Sequence, residues 1–379
     1  MKRVLLLMLL CLPLGGCTHD MNKEEIDSIN MALVLGIDYK DEEYQICALY
    51  SSGGGESSGA GAGPGKEEIV KGKGKTAYEA LEDLKLNDKK NLTLAQAGMF
   101  LIGEGAAKKG IEQSIDFLKR DETIKMEALV FIIKEEEAQK FIEKAMDEKQ
   151  IIHENLDAMK QKQLKFVTRN ENTLVNVLND IEQKYSSLLI PYLITKEGGF
   201  LIEGYAVFDQ LKLYDYLDHE TSDGVNFLRN ITRTFPIYLK EGVDLSVTYT
   251  KTRMKAKVTD QLIIVTIHVD FETAFKEITA NAVTVKAVEA NTVAANTDVF
   301  TMTELNRLTA EQEKYVLDFL QKPVDYSIHN GLDILRLARL VENQNVSKWS
   351  DIKDNWSNMI SEVRYEYRIR SKITKSFIL

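Results

Sequence analysis

The sequence predicts an α+β protein with more than one domain, and two patterns carry that expectation. In the first half, buried-strand runs at 29–38 (INMALVLGID), 98–102 (GMFLI) and 128–133 (ALVFII) alternate with stretches of helical periodicity. That describes a mixed sheet with helices packed on it. In the second half strands come in series, long helical stretches follow, and a strand closes the chain. That order describes an antiparallel sheet with long helices on one face. The Gly198-Gly199 pair separates the patterns and is taken as the boundary between domains at 29–195 and 198–379. A chain of 379 residues also exceeds what one hydrophobic core usually serves.

The chain opens with Lys2 and Arg3, an apolar run from Val4 to Leu12, and then Leu14-Gly15-Gly16-Cys17. A basic end, a short apolar segment and small residues before a cut are the layout of an export signal. The run is too short for a bilayer core of about 30 Å, which takes about 20 helical residues. Leu-Gly-Gly-Cys resembles a bacterial lipobox, in which the cysteine receives a diacylglycerol and the chain is cut on its amino side. The expectation is therefore a signal peptide at 1–16, lipidation at Cys17, and a polar tether at 17–28. Each buried acyl methylene contributes about 0.8 kcal/mol, so two or three chains hold a protein firmly on a membrane.

The chain carries 48 basic and 58 acidic residues, a net charge of -10, and loss of Lys2 and Arg3 with the leader takes it to -12. An acidic protein is a poor non-specific ligand for nucleic acid. It is likewise expected to gain nothing from anionic headgroups, which leaves the anchoring to the lipid. Of the three cysteines, Cys11 departs with the leader, Cys17 is the acylation candidate, and Cys47 lies in the strand-like run 44–50. With no partner for a disulfide, Cys47 reads as a buried apolar thiol.

In chain order, strands are expected at 29–38 and 43–50, with residues 51–66 (SSGGGESSGAGAGPGK) a flexible loop between strands. Thr76 and Glu79 have capping-box spacing and open a helix to about Leu86. A helix over 105–118 and helical stretches near 135–146, 150–164 and 172–185 follow. The strand at 187–194 leads to the boundary. Beyond it, strands are expected at 200–208, 211–217, 235–239, 243–250, 253–259 and 261–271. Residues 281–299 fit no pattern. Helices are expected over 303–321 and 331–342, with a short one carrying Trp349 and Trp356, and a final strand at 363–373 alternates cations with apolar and tyrosine positions.

Little in the chain points to catalysis. Gly72-Lys73-Gly74-Lys75-Thr76 suggests a phosphate loop, but Ile69 stands where that loop needs its first glycine. At Gly65-Lys66 that glycine is Ala60, and Glu67 replaces the hydroxyl residue. His19, His153, His219, His268 and His329 show no metal-ligand spacing, and no Cys pair accompanies them. Glu135-Glu136-Glu137 sits at the start of an expected helix, where carboxylates complement the N-terminal dipole. No cofactor, metal or catalytic residue is expected.

Several segments together resemble the C-subunit lipoproteins of bacterial spore germinant receptors, the Ger(x)C family. They are the lipobox, Glu25-Ile26-Asp27 leading into 32–38 (ALVLGID), 76–81 (TAYEAL), and 100–104 (FLIGE) through Gly110-Ile111. Residues 116–121 (DFLKRD), 204–208 (GYAVF), Lys212-Leu213, Tyr216-Leu217, Gly331-Leu332-Asp333-Ile334 and Trp349 to Trp356 complete the set. The chain departs at 96–98 and 215–216. The resemblance implies an α+β, cofactor-free, non-enzymatic palmitoylated or otherwise acylated lipoprotein. It would sit on the outer surface of the inner spore membrane, beside integral-membrane A-type and B-type subunits, in a receptor that senses nutrients and triggers germination. The rival expectation from another class is a lipid-anchored solute-binding protein whose two lobes close on a ligand near residue 198.

Overall fold

The first sheet is built around long apolar strands that are buried on both faces. The structure, a computed structural model, describes residues 28–52, 66–148, 151–197, 199–240, 242–259, 262–278 and 302–374. Cys17, the tether, most of the Gly/Ser loop and residues 281–299 lie outside the described residues. The first sheet contains β1 (Ile29–Lys40), β2 (Glu43–Ser52), β3 (Lys66–Gly74), β4 (Asn91–Thr93), β5 (Met99–Gly103), β6 (Leu129–Ile133), β7 (Leu188–Lys196), β8 (Gly199–Asp209) and β9 (Lys212–Tyr216). Their order is β3-β2-β1-β5-β6-β7-β8-β9, with β4 on β1. Strands β1, β5, β6 and β7 run parallel, and antiparallel hairpins extend the sheet at both edges.

Helices cover both faces. On one side lie α1 (Ala77–Asn87), α2 (Glu104–Lys109) and α3 (Ile111–Ile115). The other side is covered by α4 (Ala138–Asp147) and α5 (Ile152–Gln163), while α6 (Leu174–Ile181) returns to the first. Parallel strands covered on both faces are continuous apolar runs rather than alternating ones, as LVFII in β6 shows. Cys47 is fully buried among Val34, Leu49 and Phe131, and burial pushes its thiol well above the ordinary range.

The glycines of the rejected phosphate loop have a packing role. A Cβ on Gly72 would lie 2.2 Å from the Leu84 amide nitrogen, and one on Gly74 2.6 Å from that of Ala80. They let α1 lie directly on β3. Thr76 accepts from the Glu79 amide at 3.1 Å, while the Glu79 carboxylate accepts from the Lys75 amide at 2.8 Å. The helix expected over 105–118 is broken at Gly110, whose φ of 148° suits glycine, and finishes as a 3-10 turn over Asp116–Lys119.

The boundary expected at Gly198-Gly199 falls inside the first sheet. Lys196 pairs with Gly199, so β7 and β8 form a hairpin, and β8 and β9 belong to the first sheet rather than the second. After them, α7 (His219–Leu228) leads into β10 (Phe235–Leu239), β11 (Val243–Val258) and β12 (Ile263–Ile278). The two strands expected over 243–259 are one, irregular between Val247 and Tyr249. Then come α8 (Met302–Asn330), α9 (Leu337–Gln344), α10 (Val346–Ile352), α11 (Trp356–Met359) and β13 (Arg364–Thr374). The second sheet has the order β10-β11-β12-β13; its first three strands are antiparallel, but β13 joins parallel to β12, because the intervening helices carry the chain back across one face. Helix α8 runs past the expected end at 321 because Pro323 is seated against α7: a Cβ on Gly224 would lie 2.9 Å from Pro323 Cγ.

One buried carboxylate sets the register of helix α4 against the first sheet. Asp38, at the end of β1, accepts from the Ala138 amide at 2.7 Å and the Gln139 amide at 2.9 Å, two donors the helix start would otherwise leave unpaired. Gly103 makes room for it, since a Cβ there would lie 1.8 Å from Asp38 Oδ1. Burial outweighs the two hydrogen bonds and raises its pKa from 3.8 to about 6. A carboxyl whose folded pKa is raised binds more protons in the folded state, so its contribution is lost as pH rises between those values. Asp38→Ala should cost about 1–3 kcal/mol by orphaning two buried amides. Asp38→Asn keeps an acceptor, and in denaturant titrations its stability relative to wild type should improve as pH rises from 4 to 6. A flat difference across that window would contradict the assignment.

Candidate functional site

The segments that carry the family resemblance are mostly joints. Gly331-Leu332-Asp333 repeats the device of Gly36-Ile37-Asp38. Buried Asp333 accepts from the amides of Leu337 and Ala338 at 2.7 Å each and so caps α9. It also accepts from Ser186 Oγ at 3.1 Å, and its carbonyl accepts from the Ser187 amide at 3.0 Å, which ties the second sheet's helices to the start of β7. Glu104 accepts from the Glu135 amide and from the Tyr216 hydroxyl, linking α2 to β9. Trp349 stands edge-on between Trp356 at 5.3 Å and Tyr185 at 5.2 Å.

Beside Asp333 lies a second, ionic joint that sequence reading missed. The Arg229 side chain, only 6% exposed, donates to Glu171 at 3.1 Å and to the Ile334 carbonyl at 2.8 Å. Arg336 reaches Asp180 at 2.7 Å and Glu171 at 3.4 Å. Arg336 holds φ at 60°, a left-handed conformation that costs a non-glycine residue on the order of 1 kcal/mol, and its two ion pairs hold it there. Glu171 precedes α6 and Asp180 lies in its last turn, Arg229 ends α7, and Arg336 precedes α9, so the network binds first-sheet and second-sheet elements together. Burial acts to raise the Glu171 carboxyl, but Arg229, Arg336 and Arg169 overcome it and hold the group below its ordinary value.

A cleft of about 730 Å³ opens between α5, β8, α7 and β10. Met159, Phe166, Phe200, Phe235 and Tyr238 give it an aromatic and apolar wall, and His219, Ser222, Asp223 and Asn226 line its α7 side. Most of these polar groups are engaged within the fold. Ser222 Oγ accepts from the Tyr205 amide at 3.0 Å and donates to the Leu217 carbonyl, and Tyr205 donates its hydroxyl to Asn226 at 2.7 Å. Burial raises the Asp223 carboxyl, while His219, 3.4 Å away, lowers it. The serine hydroxyl is thus a strand-to-helix bond and is not poised as a nucleophile. Residues 199–202 line this cleft, at the place where the rival reading put a ligand, but its sheet wall is the continuous first sheet. Among the described residues, no group of three or more metal-ligating side chains gathers, and no helix is long and apolar enough to cross a membrane.

With this geometry in view, comparisons with known proteins define the class. The family described as "Spore germination protein N-terminal domain" matches residues 22–195, and "Spore germination B3/ GerAC like, C-terminal" matches residues 203–376. The chain belongs to the GerAC-like family of spore germination proteins. Its relatives include the "Putative spore germination protein YfkR" of Bacillus subtilis (strain 168), 25% identical over 239 residues, which are 60% of each chain. The match thus spans less than two thirds of that relative's length. Among solved structures, "Crystal Structure of the GerBC protein" shares the fold, with a TM-score of 0.55 and 17% identity over 89% of this chain and 96% of that one. The family halves divide at 195–203, the β7–β8 hairpin, although the sheet runs through that point.

Removing one partner of a buried ion pair leaves an uncompensated charge, so Glu171→Gln should cost about 3–5 kcal/mol in unfolding free energy. Pairing Glu171→Leu with Arg229→Met should recover much of that loss. The depressed Glu171 pKa contributes stability above its unfolded value that is lost as pH falls through the folded one. Wild type should therefore lose stability below about pH 4.5 more steeply than the double variant in chemical denaturation.

Proposed function

We propose that this chain is the lipid-anchored C-type subunit of a nutrient germinant receptor in the inner membrane of bacterial endospores. It is held on the outer surface by an acylated Cys17, and it works without catalysis by docking to the A-type and B-type integral-membrane subunits. The observation that carries the reading is the pair of germination-family matches that together span residues 22–376. The basic, apolar and Leu-Gly-Gly-Cys segments stand immediately ahead of them. Cap and joint residues where the family motifs fall support a body built for rigid presentation of surface, since the chemistry-bearing side chains of the cleft are spent on internal hydrogen bonds.

Cys17→Ala in the native host tests this. The account expects the protein to leave the salt-washed membrane fraction and the response of spores to nutrients to fall. A chain that stays in the membrane fraction through a high-salt wash, or spores that germinate normally, would overturn it. The aromatic wall of the cleft supports a second reading, a solute-binding protein. That reading expects saturable binding of a small molecule by the purified full chain, lost in Phe200→Asp, together with failed uptake of that solute.

A further inference from the structure

The outer face of the second sheet is strongly basic in an otherwise acidic protein. Its inner face, with Val247, Val265, Ile267 and Val269, packs beneath α8 and α9. Side chains alternate along a strand, so the residues between them point away from that core. On β11 these are Tyr249, Lys251, Arg253, Lys255 and Lys257. On β13 they are Arg364, Glu366, Arg368, Arg370 and Lys372.

The register sets them side by side across β12. Arg253, His268 and Arg368 form one row, flanked by Lys255-Thr266-Glu366 and Lys251-Asp270-Arg370. Lys257-Ile264-Arg364 and Tyr249-Glu272-Lys372 are the outer rows. Eight of the fifteen positions are cationic and three are acidic, Asp270, Glu272 and Glu366. Asp270 pairs with both Arg253 and Arg370. Lys255, Lys257, Arg364 and Arg368 make no salt bridge among the described residues. His268 registers the local field: partial desolvation and the neighbouring Arg368, Lys255, Arg253 and Arg370 all depress its pKa.

We propose that this face is a binding site for anionic phospholipid headgroups and lies flat against a membrane surface. Three features select that occupant. The face is an open three-strand surface, roughly 10 Å by 27 Å from strand and residue spacings, which matches a plane better than a cleft-filling ligand. Ile264 and Tyr249 are its main apolar side chains, whereas the centre of a protein–protein interface is depleted in charge. The cations stand on a body whose net charge is -10, so the field is confined to one side and would orient the molecule on an anionic surface. Net charge alone points away from headgroups, whereas the register gathers the cations of β11 and β13 on one face.

The proposal does not need a lipid on Cys17, and its test removes that lipid. The full chain carrying Cys17→Ala is floated with vesicles of phosphatidylcholine alone and with about one third phosphatidylglycerol, at low and high salt. The expected result is a gain of about tenfold or more on the anionic vesicles that high salt removes. Arg253→Glu, Lys255→Glu and Arg368→Glu together should abolish the gain and leave binding to neutral vesicles unchanged. The same three positions changed to Gln should reduce it with an unaltered unfolding midpoint. Lys89→Glu, Lys90→Glu and Lys144→Glu, exposed on the first-sheet side, should leave it intact. No gain in the parent, a gain that survives reversal of the face, or an equal loss in the control trio would overturn the proposal. So would loss of copurifying membrane subunits on reversal without any lipid effect, which would assign the face to an acidic partner.

Discussion

Arg229 brings a guanidinium into an interior where a charge is tolerated only beside its counter-ion, and three separate stretches of chain are placed by what it meets there. Glu171 comes from the loop before α6, the Ile334 carbonyl from the turn before α9, and Arg336 adds Asp180 to the same cluster. A buried ion pair adds little net stability over a well-packed apolar contact, but breaking it is expensive, so it specifies one arrangement more than it strengthens it. Asp333, capping α9 while bonded to Ser186 and Ser187, makes the same connection with hydrogen bonds. The shared core of Leu189, Tyr205 and Val207 with the second-sheet strands completes it. The docking role proposed for this chain would be served by such a fixed relation between its two sheets.

Charge is distributed with similar consequence. Buried carboxylates at Asp38 and Asp333 stabilise helix starts, paired ions occupy the junction, and most of the acidic excess stays on exposed surface. The outer face of the second sheet is the exception, where two strands rich in Lys and Arg are placed one strand apart. The cleft beside α7 adds an aromatic surface whose polar groups already serve the fold.

Much of the architecture was legible in periodicity. The double-sided apolar runs of β1, β5 and β6, the capping box at Thr76, and the alternation in β13 each report a local rule that the tertiary structure keeps. What escaped was non-local. The first sheet continues across the Gly198-Gly199 break, where the two family matches also divide, because Lys196 pairs with Gly199, and only strand pairing reveals that continuity. The parallel placement of β13 depends on where the helices return the chain, which no local pattern encodes. The joint of Glu171, Arg229 and Arg336 unites residues 58 to 165 positions apart, each reading as an ordinary surface charge on its own. The basic face was half visible, in the alternations of 253–259 and 363–373, but the register that merges them was not. Helix α8 outran its expected end at 321 because Pro323 packs against Gly224 within the helix instead of ending it.

The measurement that bears most directly on the central claim is affinity purification of the full chain from detergent-solubilised membranes of the native host's spores, followed by identification of what comes with it. The account predicts two polytopic membrane proteins in a fixed ratio to this chain, lost when Glu171→Gln loosens the junction. A chain recovered alone from intact membranes, with a small molecule as its bound companion, would contradict it.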